Sequence, residues 1–421
     1  MANNLSSNVT EDLARIFMDK FEASRVLTKG INNQLLTSRL TPSTGGTVSF
    51  KRPHDYNTIR TSGGDISSST KSDILSGKAT GTVQNYFTVA TEWSNLEEAL
   101  ELDQLDEIIA PMATRMVTDL ELDLGAYMTK NCALVSGTPG TAVDAWTDVA
   151  DAYALMDAVG VPKDGDWAYV MSPFTATALA SVQTNLSVTP EVNDAWRQAQ
   201  VTNSFAGMNV LASNAVKTYT SGASADRAGT LSSTPTATYV SVKDTMTQTL
   251  SVTAFTGSGT VKAGDIVQVT GRNRVSNATR EVFLNRAGSS ILWSGTVTAD
   301  VTLNGSGAGD LVVAGPAIFE ANGQYNTVDS ALASGDVITL LGATAQVRSP
   351  SLFFHPNAFG IGTVKLPKLS ATDVTATTED GFSIRVTRYS DGDKNKQMVR
   401  FDMLPAFITF NPFFAGQGFG S

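Results

Sequence analysis

Residues 95–134 constrain the fold of this chain most, because they have the pattern of one long helical spine. Ser94 and Glu97 have the spacing of a capping box, in which each side chain can bond a free backbone N–H at the start of a helix. Apolar residues then recur three and four apart, and Pro111 suits the first turn of a second helix that carries the stripe on to Met128. At about 1.5 Å per residue, the roughly 20 residues after Pro111 make a rod about 30 Å long.

The other face of this spine is acidic. Between Glu97 and Asp123 the sequence has nine acidic residues and one basic residue, Arg115. A solvated surface explains such a face unless a basic partner is found. The acidic residues are Glu97, Glu98, Glu101, Asp103, Asp106, Glu107, Asp119, Glu121 and Asp123.

Length and composition describe a globular protein of two or three domains. The 421 residues exceed the roughly 150 of one domain, and 42% of them are hydrophobic. Charged residues, at 17%, fall below the roughly 25% of an average soluble domain, which favours β-structure and large contact surfaces. A net charge of −10 argues against a general nucleic-acid-binding protein, because binding phosphates requires clustered Lys and Arg. Cys132 is the only cysteine, which excludes an internal disulfide.

Two elements are predicted before the spine. The first is a helix, capped by Thr10 and carrying Leu13, Phe17 and Phe21 on one face, that ends near Gly30; it is expected to pack on its own domain, with a partner-binding arm as the alternative. The second is a long hairpin of strands 47–52 and 81–93, with a Gly-, Ser- and Thr-rich tip between them. Residues 47–80 include five basic and three acidic residues, a net charge of +2. Because a two-stranded ribbon is marginal alone in water, it needs a surface to lie on.

After the spine, helices and strands alternate in a pattern typical of a compact α/β unit. The predicted helices are 144–159, closed by Gly160, then 173–182 and 190–199, and the predicted strands are 167–171 and 208–211.

The composition changes near Gly222 to short β runs separated by Gly- and Ser-rich turns, which is typical of a small barrel or sandwich. The mixed composition returns after Arg348, so the β segment is predicted to be an insertion into a parent domain. Deleting residues 222–341 is expected to leave the parent fold recoverable. The predicted strands are 237–242, 249–254, 265–270, 280–284, 291–302, 311–313 and 337–341, followed by 382–389 and 398–410.

The sequence lacks the patterns of common catalytic and metal sites. His54 and His355 have no catalytic context, and one cysteine with two distant histidines cannot form a tetrahedral zinc site. The phosphate-binding loop pattern and Gly-x-Ser-x-Gly are both absent. We therefore predict no catalytic residue, no cofactor and no metal, in a protein that is not an enzyme.

Seven short stretches carry a resemblance to a known family. They are Val-Ser-Phe-Lys-Arg-Pro-His at 48–54, Ser-Gly-Lys-Ala-Thr-Gly at 76–81, Asn-Leu-Glu-Glu-Ala at 95–99, Val-Thr-Asp-Leu-Glu at 117–121, Lys-Ala-Gly-Asp at 262–265, Gly-Phe-Ser-Ile-Arg-Val at 381–386 and Arg-Phe-Asp-Met-Leu-Pro-Ala at 400–406. With these, nearly the whole chain resembles the major capsid (coat) proteins of short-tailed bacteriophages of the Salmonella phage P-twenty-two and Shigella phage Sf-six type.

The resemblance implies an α+β fold of the tailed-phage capsid type first seen in phage Hong Kong 97, with an inserted all-β Ig-like domain. Its parts would be an N-terminal arm (1–41), an E-loop β-hairpin (42–93), the spine helix of a peripheral domain (94–140), the first part of an axial domain (141–221), an inserted β-barrel or Ig-like domain (222–345) and a return to the axial and peripheral domains (346–421).

The resemblance also implies a structural protein that assembles with itself into pentamers and hexamers of an icosahedral head. Its expected partners are a scaffolding protein during assembly, a portal protein, and packaged double-stranded DNA bound without sequence specificity. The polar first ten residues, and the lack of an apolar run of about 20 residues, predict no membrane partner and assembly in the host cytoplasm.

The charges suggest how subunits meet, with the basic hairpin of one subunit lying over the acidic spine of its neighbour. Charge would set the register of the contact, and burial of the apolar strand face would supply most of its strength. The residues predicted to make this contact are Lys51, Arg52, Arg60, Lys78, Val83, Phe87, Glu97, Glu98, Glu101, Asp106, Glu107, Asp119 and Glu121.

Two alternatives stay open from the sequence. An encapsulin-like nanocompartment shell would have the same fold but enclose an enzyme cargo instead of DNA. A β-rich adhesin or glycan-binding protein is disfavoured by the lack of a signal peptide and of an acid/base cleft.

Overall fold

The structure is a computed structural model, and it describes residues 6–32, 47–94, 105–183, 204–370 and 373–421. The chain divides into two compact units, each built from three separate segments. Unit 1 consists of Met1–Ser49, Thr80–Gly125 and Phe359–Ile408, and unit 2 of Phe50–Ala79, Ala126–Ala358 and Thr409–Ser421.

The described part of the chain contains both helices and strands in both units. The helices are α1 (Ser6–Ser24), α2 (Leu105–Lys130), α3 (Trp146–Val159), α4 (Pro173–Gln183) and α5 (Tyr239–Val242). The strands are β1 (Thr47–Lys51), β2 (Lys78–Val83), β3 (Phe87–Ser94), β4 (Leu134–Ser136), β5 (Ala168–Met171), β6 (Ser204–Phe205), β7 (Met208–Ala212), β8 (Tyr219–Thr220), β9 (Ala228–Leu231), β10 (Thr247–Thr253), β11 (Thr260–Val261), β12 (Ile266–Asn273), β13 (Leu292–Val297), β14 (Val301–Thr302), β15 (Gly309–Ala314), β16 (Val337–Leu340), β17 (Val347–Arg348), β18 (Ser351–Phe354), β19 (Phe359–Thr363), β20 (Val374–Thr377), β21 (Ser383–Asp391), β22 (Lys396–Met403), β23 (Pro405–Thr409) and β24 (Ala415–Gly418).

In unit 1, α1 packs its apolar face on the four-stranded sheet β20-β21-β22-β3. Phe17 stacks on Phe401 with ring centroids 4.2 Å apart, and Phe21 meets Phe382 edge-on at 5.6 Å. The N-terminal helix therefore packs on its own unit, as the sequence predicted. The prediction that Thr10 caps this helix was wrong, because α1 begins at Ser6 and Thr10 is buried within it.

The predicted spine is present as α2, whose buried stripe runs three and four residues apart. Two predictions about this helix were wrong, and a third concerns residues that the structure does not describe. Pro111 lies inside one continuous helix, where it has no N–H to donate to the carbonyl of the exposed residue Glu107. The helix ends at Lys130, and Leu134 begins β4. Its predicted first residues, 95–104, lie outside the described residues. The buried stripe consists of Ile109, Met112, Ala113, Met116, Val117, Leu120, Leu124 and Met128.

Glu121 was predicted to lie on the exposed acidic face of the spine, and this prediction was wrong. The residue is only 4% exposed. Its carboxylate accepts hydrogen bonds from the backbone N–H of Val26 at 2.6 Å and of Thr28 at 3.3 Å. These N–H groups lie at the start of the short 3₁₀ helix Leu27–Gly30, where no carbonyl within the helix can accept from them. The acid is thus buried because it completes the backbone hydrogen bonding of the segment that follows α1.

Replacing Glu121 with alanine is expected to lower the free energy of unfolding by about 1–3 kcal/mol, because buried N–H groups lose their acceptor. Glu121→Gln keeps an oxygen at the same place and is expected to cost less. Burial raises the pKa of Glu121 above its ordinary value of 4.5, so the folded chain binds this proton more tightly than the unfolded chain does. This tighter proton binding adds to the free energy of unfolding. The contribution is fully present below the ordinary pKa of Glu121 and is lost as the pH rises through its raised pKa.

Urea unfolding of the wild type and of Glu121→Gln over a pH series checks this expectation. The wild type should lose stability relative to the glutamine variant as the pH is raised past 4.5. A stability difference between the two chains that stays constant with pH would contradict the assignment.

The second strand of the predicted hairpin is two strands in two sheets. β2 belongs to the sheet β1-β2-β23-β19, whereas β3 pairs with β22 along all eight of its residues. The segment that pairs with β2 and β3 is divided at the corresponding point, because β22 ends at Met403 and β23 begins at Pro405. Gln84 N–H donates to Pro405 O at 2.8 Å and so joins the two segments where each passes from one sheet to the other. Polar residues 84–85 interrupt the apolar alternation there.

In unit 2, six strands form a mixed sheet in the order β4-β24-β18-β5-β7-β6. Helices α3 and α4 cover one face of it, where Met156 and Leu179 share a core with Trp167, Tyr169 and Phe353. Gly160 closes α3 in the left-handed conformation, with φ of 88°, as predicted from the sequence. The predicted helix 190–199 lies outside the described residues.

The β segment forms a closed six-stranded barrel in the order β10-β15-β13-β12-β16-β9. The sequence left a barrel and a sandwich open, and the structure has the barrel, filled around the buried Trp293. Segment 237–242 was predicted to be a strand but forms α5, whose Tyr239 is buried and stacks on Tyr325 at 3.7 Å. Segment 280–284 makes only isolated bridges, and 291–302 is divided between β13 and β14.

A buried ion pair joins the segments that lead into and out of the barrel. β8 pairs with β17 and places Tyr219 opposite Arg348. The side chains of Arg348 and Asp265 are both 0% exposed and lie 3.6 Å apart. The other carboxylate oxygen of Asp265 accepts from the backbone N–H of Gly222 and of Lys262, each at 2.9 Å. We call Tyr219, Gly222, Lys262, Asp265 and Arg348 the neck of the barrel.

Candidate intersubunit surface

The base of the predicted hairpin is attached to the barrel segment of its own chain. Arg52 is 6% exposed, and its Nε donates to the carbonyl oxygen of Lys243 at 2.9 Å. Lys78 N–H donates to Asp244 Oδ1 at 3.1 Å, and Lys243 Nζ donates to Ser76 O at 3.1 Å. Burial lowers the pKa of Arg52 to about 10. The prediction that Arg52 contacts a neighbouring subunit is therefore corrected, because its side chain is buried within its own chain.

The middle of the hairpin also rests on this segment. Asp55 pairs with Arg280, and Gln324 Nε2 donates to Asp73 O at 2.7 Å. Leu75 packs against a cluster that contains Tyr239. The sequence predicted that the ribbon needs a surface to lie on, and its own chain supplies part of that surface.

Three of the predicted basic contact residues remain available on the ribbon. Lys51, Arg60 and Lys78 are all exposed. Lys71, in contrast, donates its Nζ to Ile66 O within the tip at 3.0 Å. The basic part of the predicted contact surface is therefore smaller than the sequence suggested.

Three exposed apolar side chains of the ribbon were missed in the sequence. Tyr56, Ile66 and Ile74 are 56%, 43% and 75% exposed. They stand among Gly, Ser, Thr and Asp, in a stretch interpreted only as a loose tip. Isolated large apolar residues in a polar loop were the signal that could have identified them.

Val83 and Phe87 do not share one strand face as predicted. Val83 ends β2, opposite Ala406, whereas Phe87 begins β3, opposite Met403. Both are half-buried. The division of the strand between two sheets separates them, so a continuous apolar stripe along the ribbon was a wrong prediction.

The acidic face of the spine is only partly described. Glu97, Glu98 and Glu101, together with the side chain of Asp106, lie outside the described residues. Glu107 is exposed, and Asp119 pairs with Arg115 at 3.0 Å. With Glu121 buried, the described acidic surface of the predicted contact is reduced to Glu107 and Asp119.

The histidines and the cysteine have structural surroundings. His355 Nδ1 accepts from Asn357 N–H at 3.0 Å, so its Nε2 carries the proton and donates to Asp164 Oδ1 at 2.9 Å. Burial lowers the pKa of His355 and raises that of the Cys132 thiol to about 11. His54 lies in the ribbon, with Nδ1 3.1 Å from Leu75 O.

Neither a metal cluster nor a membrane span was found in the described ranges. No group of three or more His, Cys, Asp or Glu side chains there could hold a metal ion. Among the same residues, no helix combines the length and the apolar composition needed to cross a bilayer.

Comparison with solved structures returns chains of phage structures, several of them capsids. A chain of Mycobacterium phage Che8 aligns with 93% of this chain and 92% of its own length, with a TM-score of 0.44 and 11% identity. The capsid chain of cyanophage P-SCSP1u covers 90% of this chain and 84% of its own length, with a TM-score of 0.45 and 11% identity. That of Ralstonia phage GP4 covers 94% and 90%, with a TM-score of 0.44 and 9% identity.

Comparison of sequences is more specific. The major capsid protein of Acyrthosiphon pisum secondary endosymbiont phage 1 is 41% identical over 427 aligned positions, which cover the whole of both chains. The family model described as "P22 coat protein - gene protein 5" matches residues 1–420. The chain therefore belongs to the P22 coat protein family.

Proposed function

We propose that this chain is the major capsid protein of a bacteriophage, a structural protein that assembles with copies of itself into the shell of the virion. The observation that carries the proposal is the match along the whole chain to a phage major capsid protein at 41% identity. The described part of the chain combines helices, open sheets and a closed barrel, in agreement with an α+β capsid subunit. Such a protein is not an enzyme.

The finer features of assembly belong to the same proposal. The shell would be an icosahedral head of pentamers and hexamers that encloses double-stranded DNA, built in the host cytoplasm with a scaffolding protein and a portal protein. Segments 1–41, 42–93 and 94–140 would be the N-terminal arm, the E-loop and the spine of the peripheral domain. Segments 141–221 and 346–421 would supply the axial domain, and 222–345 the inserted domain, here as a barrel.

Expression of the chain alone, and together with a scaffolding protein, tests this function. Closed particles should appear in the sedimented fraction by electron microscopy. Particles formed in an infected host should contain nuclease-resistant DNA, whereas a nanocompartment shell would contain an enzyme.

The contact between subunits is proposed in a form narrower than the sequence suggested. Lys51, Arg60 and Lys78 of one subunit would face acidic residues on the spine of a neighbouring subunit. Among the described residues, Glu107 and Asp119 are the surface acids of this predicted contact. Exposed ion pairs contribute little strength and set mainly the register. The exposed Tyr56, Ile66 and Ile74 would supply more, since burying one large apolar side chain contributes about 1.5–3 kcal/mol.

The triple variant Lys51→Glu, Arg60→Glu, Lys78→Glu is expected to fold but to give at least tenfold fewer particles, because like charges then face each other. Circular dichroism checks the fold, and gradient sedimentation measures the particles. A matched control reverses three exposed basic residues outside the ribbon, Lys20, Lys217 and Arg286. Normal particle yield from the ribbon variant, or an equal loss in the control, would refute a specific ribbon contact.

A further inference from the structure

An aromatic side chain projects from the amino end of α4. Phe174 is 90% exposed, in the first turn of a helix whose Leu179 and Ala180 are buried in the core. Its position is fixed locally, because Ser172 Oγ accepts from Thr175 N–H at 3.3 Å and caps the helix. The fold makes no use of this ring. Large aromatic residues that stand free on a rigid element are the type that anchors protein interfaces.

An open cleft of about 460 Å³ lies between α3 and the β6–β7 hairpin of the same unit. Its aromatic wall consists of Tyr153 and Trp167, whose rings are tilted and 4.8 Å apart. Trp167 is held by a hydrogen bond from its Nε1 to Pro162 O at 2.9 Å. Gly207 brings the hairpin backbone so close that an added Cβ would lie 3.0 Å from the Tyr153 ring. The cleft is therefore preformed, with a size in the range of natural binding pockets.

The projecting ring and the cleft lie at opposite ends of the same sheet. Trp167 immediately precedes β5, and Phe174 follows its other end by three residues. β7 runs parallel to β5 with Asn209 opposite Ala168, so the mouth of the cleft is at the amino end of both strands. The separation along the strand is roughly 15–20 Å. Phe174 therefore cannot fill the cleft of its own chain.

We propose that Phe174 of one subunit inserts into the cleft beside Tyr153 and Trp167 of the next subunit in the shell. This inference rests on the proposed assembly. A projection and its receptor at opposite ends of one subunit make a head-to-tail contact, which closes into a ring when the rotation allows.

Charge also favours a second copy of the chain as the occupant of the cleft. Copies that each carry a net charge of −10 repel one another, and contact is least costly where the surfaces are neutral. Phe174 is flanked by the uncharged Pro173 and Thr175. At the cleft, Lys163 is paired with Asp157 at 2.9 Å, and the exposed Asp166 adds one acidic residue to the rim, which the uncharged Phe174 end of another copy does not repel. An aromatic centre with a charged rim is the usual anatomy of a protein interface.

Disulfide trapping tests the contact directly. Ser204 is exposed at the mouth of the cleft and Pro173 is exposed beside the ring, so the double variant Pro173→Cys, Ser204→Cys places one thiol on the projection and one at the receptor while it keeps Phe174. Oxidised particles should give a ladder of linked chains on a non-reducing gel, which collapses on reduction. The buried Cys132 does not interfere, because its thiol is inaccessible. The single variants are the matched controls and should give no ladder.

Particles of the double variant that form normally but yield no ladder would overturn this contact and leave the proposed function standing. A wild-type chain that forms no particles would instead count against the proposed function.

Substitutions give an independent readout of the same contact. Phe174→Ser should lower particle yield at least tenfold with an unchanged circular dichroism spectrum, and Phe174→Trp should restore most of it. Ser204→Trp, which plugs the mouth of the cleft, should reproduce the loss. Wild-type yield from Phe174→Ser would overturn the proposal.

Discussion

Replacing Asp265 with alanine is expected to lower the free energy of unfolding by about 3–5 kcal/mol. The substitution removes the partner of Arg348 and leaves its fully buried guanidinium without a counter-charge, 3.6 Å from the vacated position. It also removes the acceptor of the Gly222 and Lys262 N–H groups. Because these groups belong to the neck, the loss should affect the attachment of the barrel as well as global stability.

Equilibrium urea unfolding of the unassembled chain measures this loss. Asp300→Ala is the matched control, because Asp300 accepts from the adjacent Ala263 N–H at 2.9 Å and pairs with Lys262 at 2.7 Å while more than half exposed. That exposed pair should contribute no more than about 1 kcal/mol. A cost for Asp265→Ala within 1 kcal/mol of the control would show that the buried pair is not what holds the neck.

Deleting residues 222–341 and closing the gap with a short linker is expected to abolish soluble expression. The sequence predicted the opposite, a recoverable parent fold. The barrel, however, completes the packing of its surroundings. Arg274 Nη2 and Ser294 Oγ both donate to Ala133 O, at 3.2 and 3.0 Å, and Asn277 N–H donates to Val159 O at 2.8 Å. Removing the barrel leaves these buried carbonyls without donors.

Packing at this junction is as close as its hydrogen bonding. Gly315 lies so near Ala133 of the same chain that an added Cβ would be 2.3 Å from Ala133 Cβ. Arg274 is buried over the Phe413 ring, at 5.6 Å, and burial lowers the pKa of Arg274 to about 10. The deletion would thus expose Ala133 and the Phe413 ring, which the barrel residues Gly315 and Arg274 now contact.

A smaller deletion distinguishes the loss of the barrel from the effect of shortening the chain. Residues 286–289 form an exposed loop tip next to the bridge between Leu284 and Ser290. Replacing them with two glycines should leave soluble yield unchanged. Soluble, folded protein from the large deletion, shown by circular dichroism and cooperative urea unfolding, would mean that the barrel is an independent insertion after all.

Local pattern predicted the helices and strands well where one apolar face decides the structure. The three-and-four spacing from Ile109 to Met128 predicted the spine helix. Gly160 predicted the end of α3, and Phe17 and Phe21 predicted the packing face of α1. These elements bury one stripe against one neighbour, so their periodicity is visible in the sequence.

Features that depend on distant partners were not predictable in this way. Glu121 has the same local pattern as its exposed acidic neighbours, and only the N–H groups of Val26 and Thr28 make it a buried acceptor. The strand that crosses from one sheet to another at Gln84 depends on Pro405, more than 300 positions away in the chain. Alternation alone cannot show which sheet a strand joins.

The charge of the ribbon predicted a candidate contact surface, but the sequence predicted only in part which of its residues are exposed. Lys51, Arg60 and Lys78 are exposed as expected. Arg52, the residue directly after the end of β1 at Lys51, is instead turned inward to Lys243. Phe174 was missed because a phenylalanine near the start of a predicted helix is usually a core residue.

Electron cryomicroscopy of the expressed chain, alone and with a scaffolding protein, tests most directly whether this protein builds a phage shell. The expected result is closed particles whose wall is accounted for by this chain, arranged in rings of five and six copies. A folded chain that stays in the soluble fraction as monomers or small oligomers under both conditions would contradict it.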